Sequence, residues 1–152
     1  MRTKPLLVLL PLLVGCVIFS GSEEDVQGEL DFNRAQWDAA AIHDYSMSFQ
    51  RLCRFCGAEF ATPVRITVRG DTIREVTDLD TGAPVEQSAE GAFLAVDGVF
   101  DFIQNAIDQN AAAIDISYNS TFGYPTDVII DFNRSQFSDD TQFLIGEFVE
   151  LQ

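Results

Sequence analysis

The stretch VRITVRGD at residues 64–71 decides the fold class of this chain. Its apolar and polar side chains alternate with a period of two, which predicts a strand that buries one face. The Gly70-Asp71 pair then reverses the chain, because both residue types suit the turn of a two-residue hairpin. Residues 72–79 supply the second strand, so the sequence predicts an antiparallel hairpin here.

Four more segments show the alternation of a half-buried strand. Tyr45, Met47 and Phe49 alternate with polar residues shortly before the hairpin. The second half of the chain repeats the pattern three times, with a Gly-Tyr-Pro turn at residues 123–125. The three later strands are expected at residues 114–119, 128–132 and 142–151.

Two segments have the spacing of amphipathic helices. In residues 29–42, Leu30 and Trp37 share one face, so Trp37 is expected in the core. Asp97 has the side chain of a good N-cap for a second helix over residues 98–109.

The order helix–strand–strand–strand therefore occurs twice along the chain. The simplest packing is one antiparallel sheet of about six strands with both helices on one face. This is an α+β fold, and the doubled order predicts a structural repeat. Residues 29–152 are long enough to form it as a single globular domain with its own core.

The first 15 residues have the charge order and length of a signal peptide. Two basic residues precede an apolar run that is shorter than the about 20 residues of a membrane-spanning helix. The LVGC stretch at residues 13–16 resembles a lipoprotein signal-peptidase site, so we expect lipid on Cys16 and a flexible tether over residues 16–28. The alternatives are an uncleaved leader and an ordinary secretory signal that is cut a few residues later.

The leader also predicts where the protein works. An exported, lipidated protein is anchored in the cell envelope. Val17, rather than an aspartate, follows Cys16, which resembles the sorting pattern for the outer membrane. In a diderm host the protein is therefore expected on the outer membrane, facing the periplasm.

The other two cysteines form an even pair in an oxidising compartment. A disulfide between Cys53 and Cys56 across a tight turn is the favoured interpretation. A redox-active cysteine pair is the alternative. Such a pair needs a helix after the Cys-x-x-Cys motif, whereas the residues that follow Cys56 favour a strand. A zinc site needs more ligands, and His43 is the only histidine.

The chain beyond residue 15 is strongly acidic. It carries seven arginines and no lysine against 24 acidic side chains, a formal excess of 17 negative charges. Such a surface repels nucleic acid and anionic headgroups, and it cannot gain from counterion release. The expected partners are the membrane, through the lipid, and an envelope protein or peptide, but not nucleic acid.

The other candidates for catalysis or metal binding are carboxylates and one histidine. The DLDTG stretch at residues 78–82 resembles the start of a calcium loop but lacks the later glutamate, so a turn is preferred. Asp139 and Asp140 beside Asp131 lack an accompanying nucleophile or orienting base. His43 follows the first helix and is expected to cap its C-terminus. We therefore expect no catalytic residue, no metal and no cofactor.

Phe122 and Tyr124 are the candidate contact residues of the chain. Both stand in the turn around Gly123, where apolar side chains are less readily buried. The alternative is that both side chains fold back onto the sheet as a lid. Gly123 itself is expected to adopt a positive φ, because the chain must reverse within a few residues.

A set of short motifs is spread over residues 30–150: Trp37, the segments 44–49, 64–68, 81–84 and 96–101, the cysteines at 53 and 56, and the Gly-Tyr-Pro turn. Together they resemble a family of small bacterial exported proteins, a domain of unknown function often carried on a lipoprotein signal. Members often have one residue between the cysteines, whereas Arg54 and Phe55 stand between them here. The resemblance implies a location and a compact domain, but no activity.

The sequence thus favours a non-enzymatic, lipid-anchored envelope protein that binds a protein or a peptide. One alternative is an envelope enzyme that uses surface carboxylates with a divalent cation. Another is an inhibitor or sensor module, because the doubled helix-plus-sheet unit also resembles exported protease- and β-lactamase-inhibitor domains. Binding predicts an exposed aromatic patch, whereas catalysis predicts converging acids with shifted pKa values.

Overall fold

The computed structural model describes residues 23–54, 61–85, 92–135 and 140–152. Within these ranges two helices and six strands confirm the α+β class and the antiparallel sheet. In chain order they are α1 (Glu23–Ala40), β1 (Tyr45–Cys53), β2 (Val64–Arg69), β3 (Thr72–Asp78), α2 (Val96–Asp108), β4 (Ala113–Tyr118), β5 (Pro125–Asp131) and β6 (Thr141–Glu150).

The sheet has the strand order β3-β2-β1-β6-β5-β4, and every neighbouring pair is antiparallel. The first and last strands of the chain therefore lie side by side at its centre. Their register runs from Tyr45 opposite Glu150 to Cys53 opposite Thr141.

The predicted hairpin joins β2 and β3. Gly70 and Asp71 both have positive φ, at 55° and 59°, as a two-residue hairpin turn requires. The carboxylate of Asp44 accepts a hydrogen bond from the Gly70 backbone N–H at 2.7 Å. This bond holds the turn against the chain segment that leads into β1.

The core is one cluster of buried side chains that come from the strands and from both helices. Alternate side chains of the strands are buried, as at Val64, Ile66 and Val68, which are at most 1% exposed. Both helices add side chains to the same cluster. These are Leu30 and Trp37 from α1, and Val96, Val99, Phe100, Ile103 and Ala106 from α2.

Helix α1 begins six residues earlier than expected. It starts at Glu23, so the flexible tether predicted over residues 16–28 is helical from that residue onward. The acidic run Glu23-Glu24-Asp25 suggested a solvated linker, but negative side chains in a first helical turn are favoured by the helix dipole. Residues 16–22 lie outside the described ranges.

Helix α2 also begins differently from the prediction. Ala95 occupies the N-cap position without a side-chain hydrogen bond, and Asp97 lies inside the first turn. The Asp97 carboxylate instead accepts a hydrogen bond from the Trp37 indole Nε1–H at 3.0 Å. The Val96 N–H donates to the Tyr45 hydroxyl at 2.9 Å, so β1 satisfies part of this helix end.

An aromatic cluster joins α1 to the sheet. The Trp37 ring meets the rings of Tyr45, Tyr124 and Phe148 edge-on, with centroids 5.5, 6.2 and 5.8 Å away. Phe148 stacks on Tyr45 and on Tyr124 at 5.1 and 4.7 Å. Trp37 is 4% exposed, which confirms its predicted place in the core.

The turn between β4 and β5 rests directly on the backbone of α1. Gly123 has a φ of 79°, as the sequence predicted. A Cβ atom at this position would lie 2.4 Å from the Asn33 carbonyl oxygen. The Gln36 amide donates to the carbonyl oxygens of Ser120 and Thr121. Only glycine therefore allows the turn to approach the helix this closely.

Candidate functional site

The sheet has one buried face and one accessible face. On β5, Val128 and Ile130 are fully buried, whereas Ile129 between them is 44% exposed. On β6, Phe143 and Ile145 are buried and Leu144 between them is partly exposed. We use the term accessible face for the side that carries Ile129 and Leu144.

Three apolar side chains form a strip on the accessible face. Leu52 of β1 and Ile129 of β5 both pair with Gln142 of β6, one from each side. Leu144 lies two residues along β6 from Gln142, diagonal to both of them. Diagonal neighbours of this kind are about 7–8 Å apart, within reach of long side chains. We call Leu52, Ile129 and Leu144 the apolar strip.

Two adjacent hollows open on the same face. The first measures about 270 Å³ and lies over Ser48, Leu144 and Gly146, with Pro63 and Leu79 beside it. The second measures about 370 Å³ and is lined by Leu52, Ala61, Ile129 and Gln142 among others. The apolar strip therefore lines both hollows.

Gly146 and Gln50 both line the first hollow. Gly146 has no side chain, and a Cβ atom there would lie 3.2 Å from the Ser48 hydroxyl. Gln50 donates its amide N–H to the Ala61 carbonyl at 2.6 Å, which ties the segment before β2 to β1. The hollows are thus lined by hydrogen-bonded strands and an anchored segment.

Sequence reasoning missed the apolar strip, although a signal for it was present. Residues 128–130 and 143–145 are each three apolar residues in a row, which breaks the alternation of a half-buried strand. Such a run places an apolar side chain on each face of the sheet. The middle residue of each run is a member of the apolar strip.

The predicted contact residues lie elsewhere. Tyr124 is 5% exposed and belongs to the core, and Phe122 is partly buried with its ring 6.0 Å from Phe148. The structure therefore corrects the expectation that they form an exposed patch. Asn119 causes this by accepting hydrogen bonds from the N–H groups of Thr121 and Phe122, so the turn folds back over the core.

His43 binds the β2–β3 turn instead of capping α1. Its Nδ1 lies 2.9 Å from the Asp71 carboxylate. This hydrogen bond, together with the negative charge of Asp71, raises the pKa of His43 above 6.5. The expected helix cap was wrong because α1 ends at Ala40 and the His43 side chain pairs with Asp71 of the turn.

The His43 pair makes a testable contribution to pH dependence. A pKa raised in the folded state means that the pair stabilises the fold below pH 6.5, and that this contribution disappears as the pH rises through the raised value. We expect Asp71→Asn, which preserves the turn, to lower the pKa of His43 in an NMR titration. Asp38→Asn on α1 is the control, and an unchanged pKa in Asp71→Asn would contradict the assignment.

The DLDTG segment is a turn, as the sequence favoured. The Asp78 carboxylate accepts hydrogen bonds from the backbone N–H groups of Asp80 and Thr81 and from the Thr81 hydroxyl. The Thr81 backbone N–H is the largest cause of the lowered pKa of Asp78. One of the two Asp78 carboxylate oxygens is therefore committed to the turn.

Of the remaining candidates, Asp131 ends β5 and Asp140 begins the last described range. Cys53 is the last residue of β1, whereas Cys16, Cys56 and Asp139 lie outside the described ranges, so lipidation and the disulfide stay predictions. Within the described ranges, no group of three or more His, Cys, Asp or Glu side chains is arranged to hold a metal ion.

The described part of the chain contains two helices. Neither α1 nor α2 is both long enough and apolar enough to cross a bilayer.

Comparison with known proteins identifies a family but no activity. No curated protein and no solved structure matches this chain. One family model matches residues 29–150, which include all of the strands, all of α2 and most of α1. The chain therefore belongs to DUF6174, a family of unknown function.

Proposed function

We propose that this protein is a lipid-anchored envelope protein that binds a polypeptide on the accessible face of its sheet. The observation that carries the proposal is the apolar strip, which lines two adjacent hollows. Exposed apolar side chains grouped in a depression are typical of interaction sites. Ile129 is 44% exposed, although its chain neighbours Val128 and Ile130 are fully buried.

The proposed binding surface is not the β4–β5 turn. Binding at Phe122 and Tyr124 would require core aromatic rings to leave their contacts with Phe148. Binding at the apolar strip requires no such rearrangement, because the hollows are open in the folded chain. A preformed surface lowers the ordering cost of association.

Filling the first hollow tests this proposal. Gly146→Leu places a branched side chain over Ser48 and is expected to weaken partner binding at least tenfold. Gly28→Leu on α1 is the matched control, because nothing lies within 4 Å of a Cβ atom there. Circular dichroism should show that both variants are folded.

The binding measurement needs an identified partner. A photo-crosslinking residue at position 129, in cells of the native host, should give adducts that mass spectrometry can identify. The same residue at position 32, where Phe32 is 69% exposed on α1, is the control. Equal adducts at both positions, or a Gly146→Leu variant that binds the purified partner normally, would refute the proposal.

The proposed location rests on the LVGC stretch at residues 13–16. Cys16→Ser is expected to abolish labelling by a radioactive fatty acid and to release the protein from the membrane fraction. Cys53→Ser, the matched control, should keep the label. A Cys16→Ser variant that remains in the membrane through an uncleaved leader would contradict this prediction.

The architecture also supports the proposed repeat. Each half of the chain supplies one helix followed by three strands, and the two halves meet where β1 pairs with β6. We include in the proposal that the halves are equivalent units with both helices on the buried face. Polypeptide binding would then use the face that the helices leave uncovered.

A further inference from the structure

We infer that the polypeptide bound at the apolar strip is a basic one, in which Lys or Arg and apolar side chains share one face of an extended segment. The inference rests on the proposed function and adds the chemical class of the partner. Three observations support it: the residues that border the strip, the charges of the strands that carry it, and the spacing between those charges.

Carboxylates border the apolar strip on the side of β4 and β5. Asp115 is the register partner of Ile129, and Asp127 is the register partner of Leu144. Asp115 is exposed and Asp127 is partly exposed, with one oxygen accepting a hydrogen bond from Gln142. Two members of the strip thus each have a carboxylate on the neighbouring strand.

Strands β4, β5 and β6 contain no lysine or arginine to neutralise these carboxylates. Arg54 lines the second hollow together with Asp140, and Arg65 of β2 is paired with Glu147. Asp115, Asp127 and Asp140 thus outnumber Arg54 around the strip, so a basic partner meets more complementary charges there than an acidic partner does.

The spacing of the carboxylates fits an extended segment. Asp115 and Asp127 are diagonal neighbours on adjacent strands, so their Cα atoms are about 7–8 Å apart. Side chains two residues apart on one face of an extended chain are separated by about 6.6 Å. A segment with two basic side chains at this spacing can reach both carboxylates while an apolar side chain contacts the strip.

A designed peptide tests the inference without knowledge of the natural partner. The probe is a fluorescein-labelled decapeptide with serine at every second position. The other five positions carry valine, lysine, lysine, valine and valine in that order, which places the two lysines two residues apart on one face. We expect it to bind the full-length protein in non-ionic detergent, measured by fluorescence anisotropy, and to bind less tightly as salt increases. The same peptide with glutamate for lysine should not bind.

Two variants of equal charge separate the strip from the general acidity of the chain. Asp115→Asn with Asp127→Asn should weaken binding of the lysine peptide at least fivefold. Asp31→Asn with Asp38→Asn, two exposed positions on α1, should change it less than twofold. Equal weakening by both pairs would show attraction to the overall charge only and would overturn the inference.

The remaining outcomes distinguish this inference from the proposed function. Failure of the lysine peptide to bind, or binding of the glutamate peptide, would overturn the basic partner. If the protein crosslinked at position 129 is acidic and its binding is lost in Gly146→Leu, the basic partner is also overturned. Polypeptide binding at the accessible face would then still hold.

Discussion

Gly123→Val is expected to lower the free energy of unfolding by about 2–6 kcal/mol. Two effects combine at this position. A valine forced to a φ of 79° costs about 1–3 kcal/mol in backbone strain. Its Cβ would also lie 2.4 Å from the Asn33 carbonyl oxygen, and overpacking against a fixed backbone costs about 1–3 kcal/mol more. Urea unfolding followed by circular dichroism measures the loss.

Gly82→Val is the matched control for the strain alone. Gly82 has a similar φ of 70°, but nothing lies within 4 Å of a Cβ atom there. Gly82→Val should therefore lower the free energy of unfolding only by the cost of backbone strain. The difference between the two variants gives the cost of the clash with α1. Equal losses at both positions would mean that α1 moves away from the turn freely.

Trp37→Ala is expected to cost about 3–5 kcal/mol, the usual range for a buried tryptophan. The substitution removes the indole that meets Tyr45, Tyr124 and Phe148, and it leaves the Asp97 carboxylate without its N–H donor. Circular dichroism must follow the unfolding, because Trp37 is the only tryptophan.

Trp37→Phe separates the ring from its hydrogen bond. The smaller ring keeps part of the packing but still loses the bond to Asp97, so we expect a cost of about 1–3 kcal/mol. A loss below about 1.5 kcal/mol for Trp37→Ala would show that α1 is not held to the sheet through this side chain.

The local sequence pattern was sufficient to predict most of the secondary structure. The alternation in residues 64–69 and the Gly70-Asp71 turn predicted the first hairpin, and the turn at Gly123 predicted a positive φ. These features depend on a few neighbouring residues, and the backbone preferences of those residues decide them.

Features that depend on distant contacts were not predictable in this way. Asp97 was expected to cap its own helix, but Trp37, 60 residues away, donates to it. The side chains of the β4–β5 turn were ambiguous, because burial there depends on Phe148 of β6. The apolar strip was not predicted because its three members come from strands that become neighbours only through the pairing of β1 with β6.

The central pairing of β1 with β6 has a consequence for how the chain folds. Each half can form its own hairpin early, since β2 with β3 and β4 with β5 are close in sequence. The halves can join only after residues 141–150 are available, and closing so long a loop is slow compared with hairpin formation. A chain cut short before residue 141 would leave β1 and β5 each with an unpaired edge, the kind of surface that promotes aggregation.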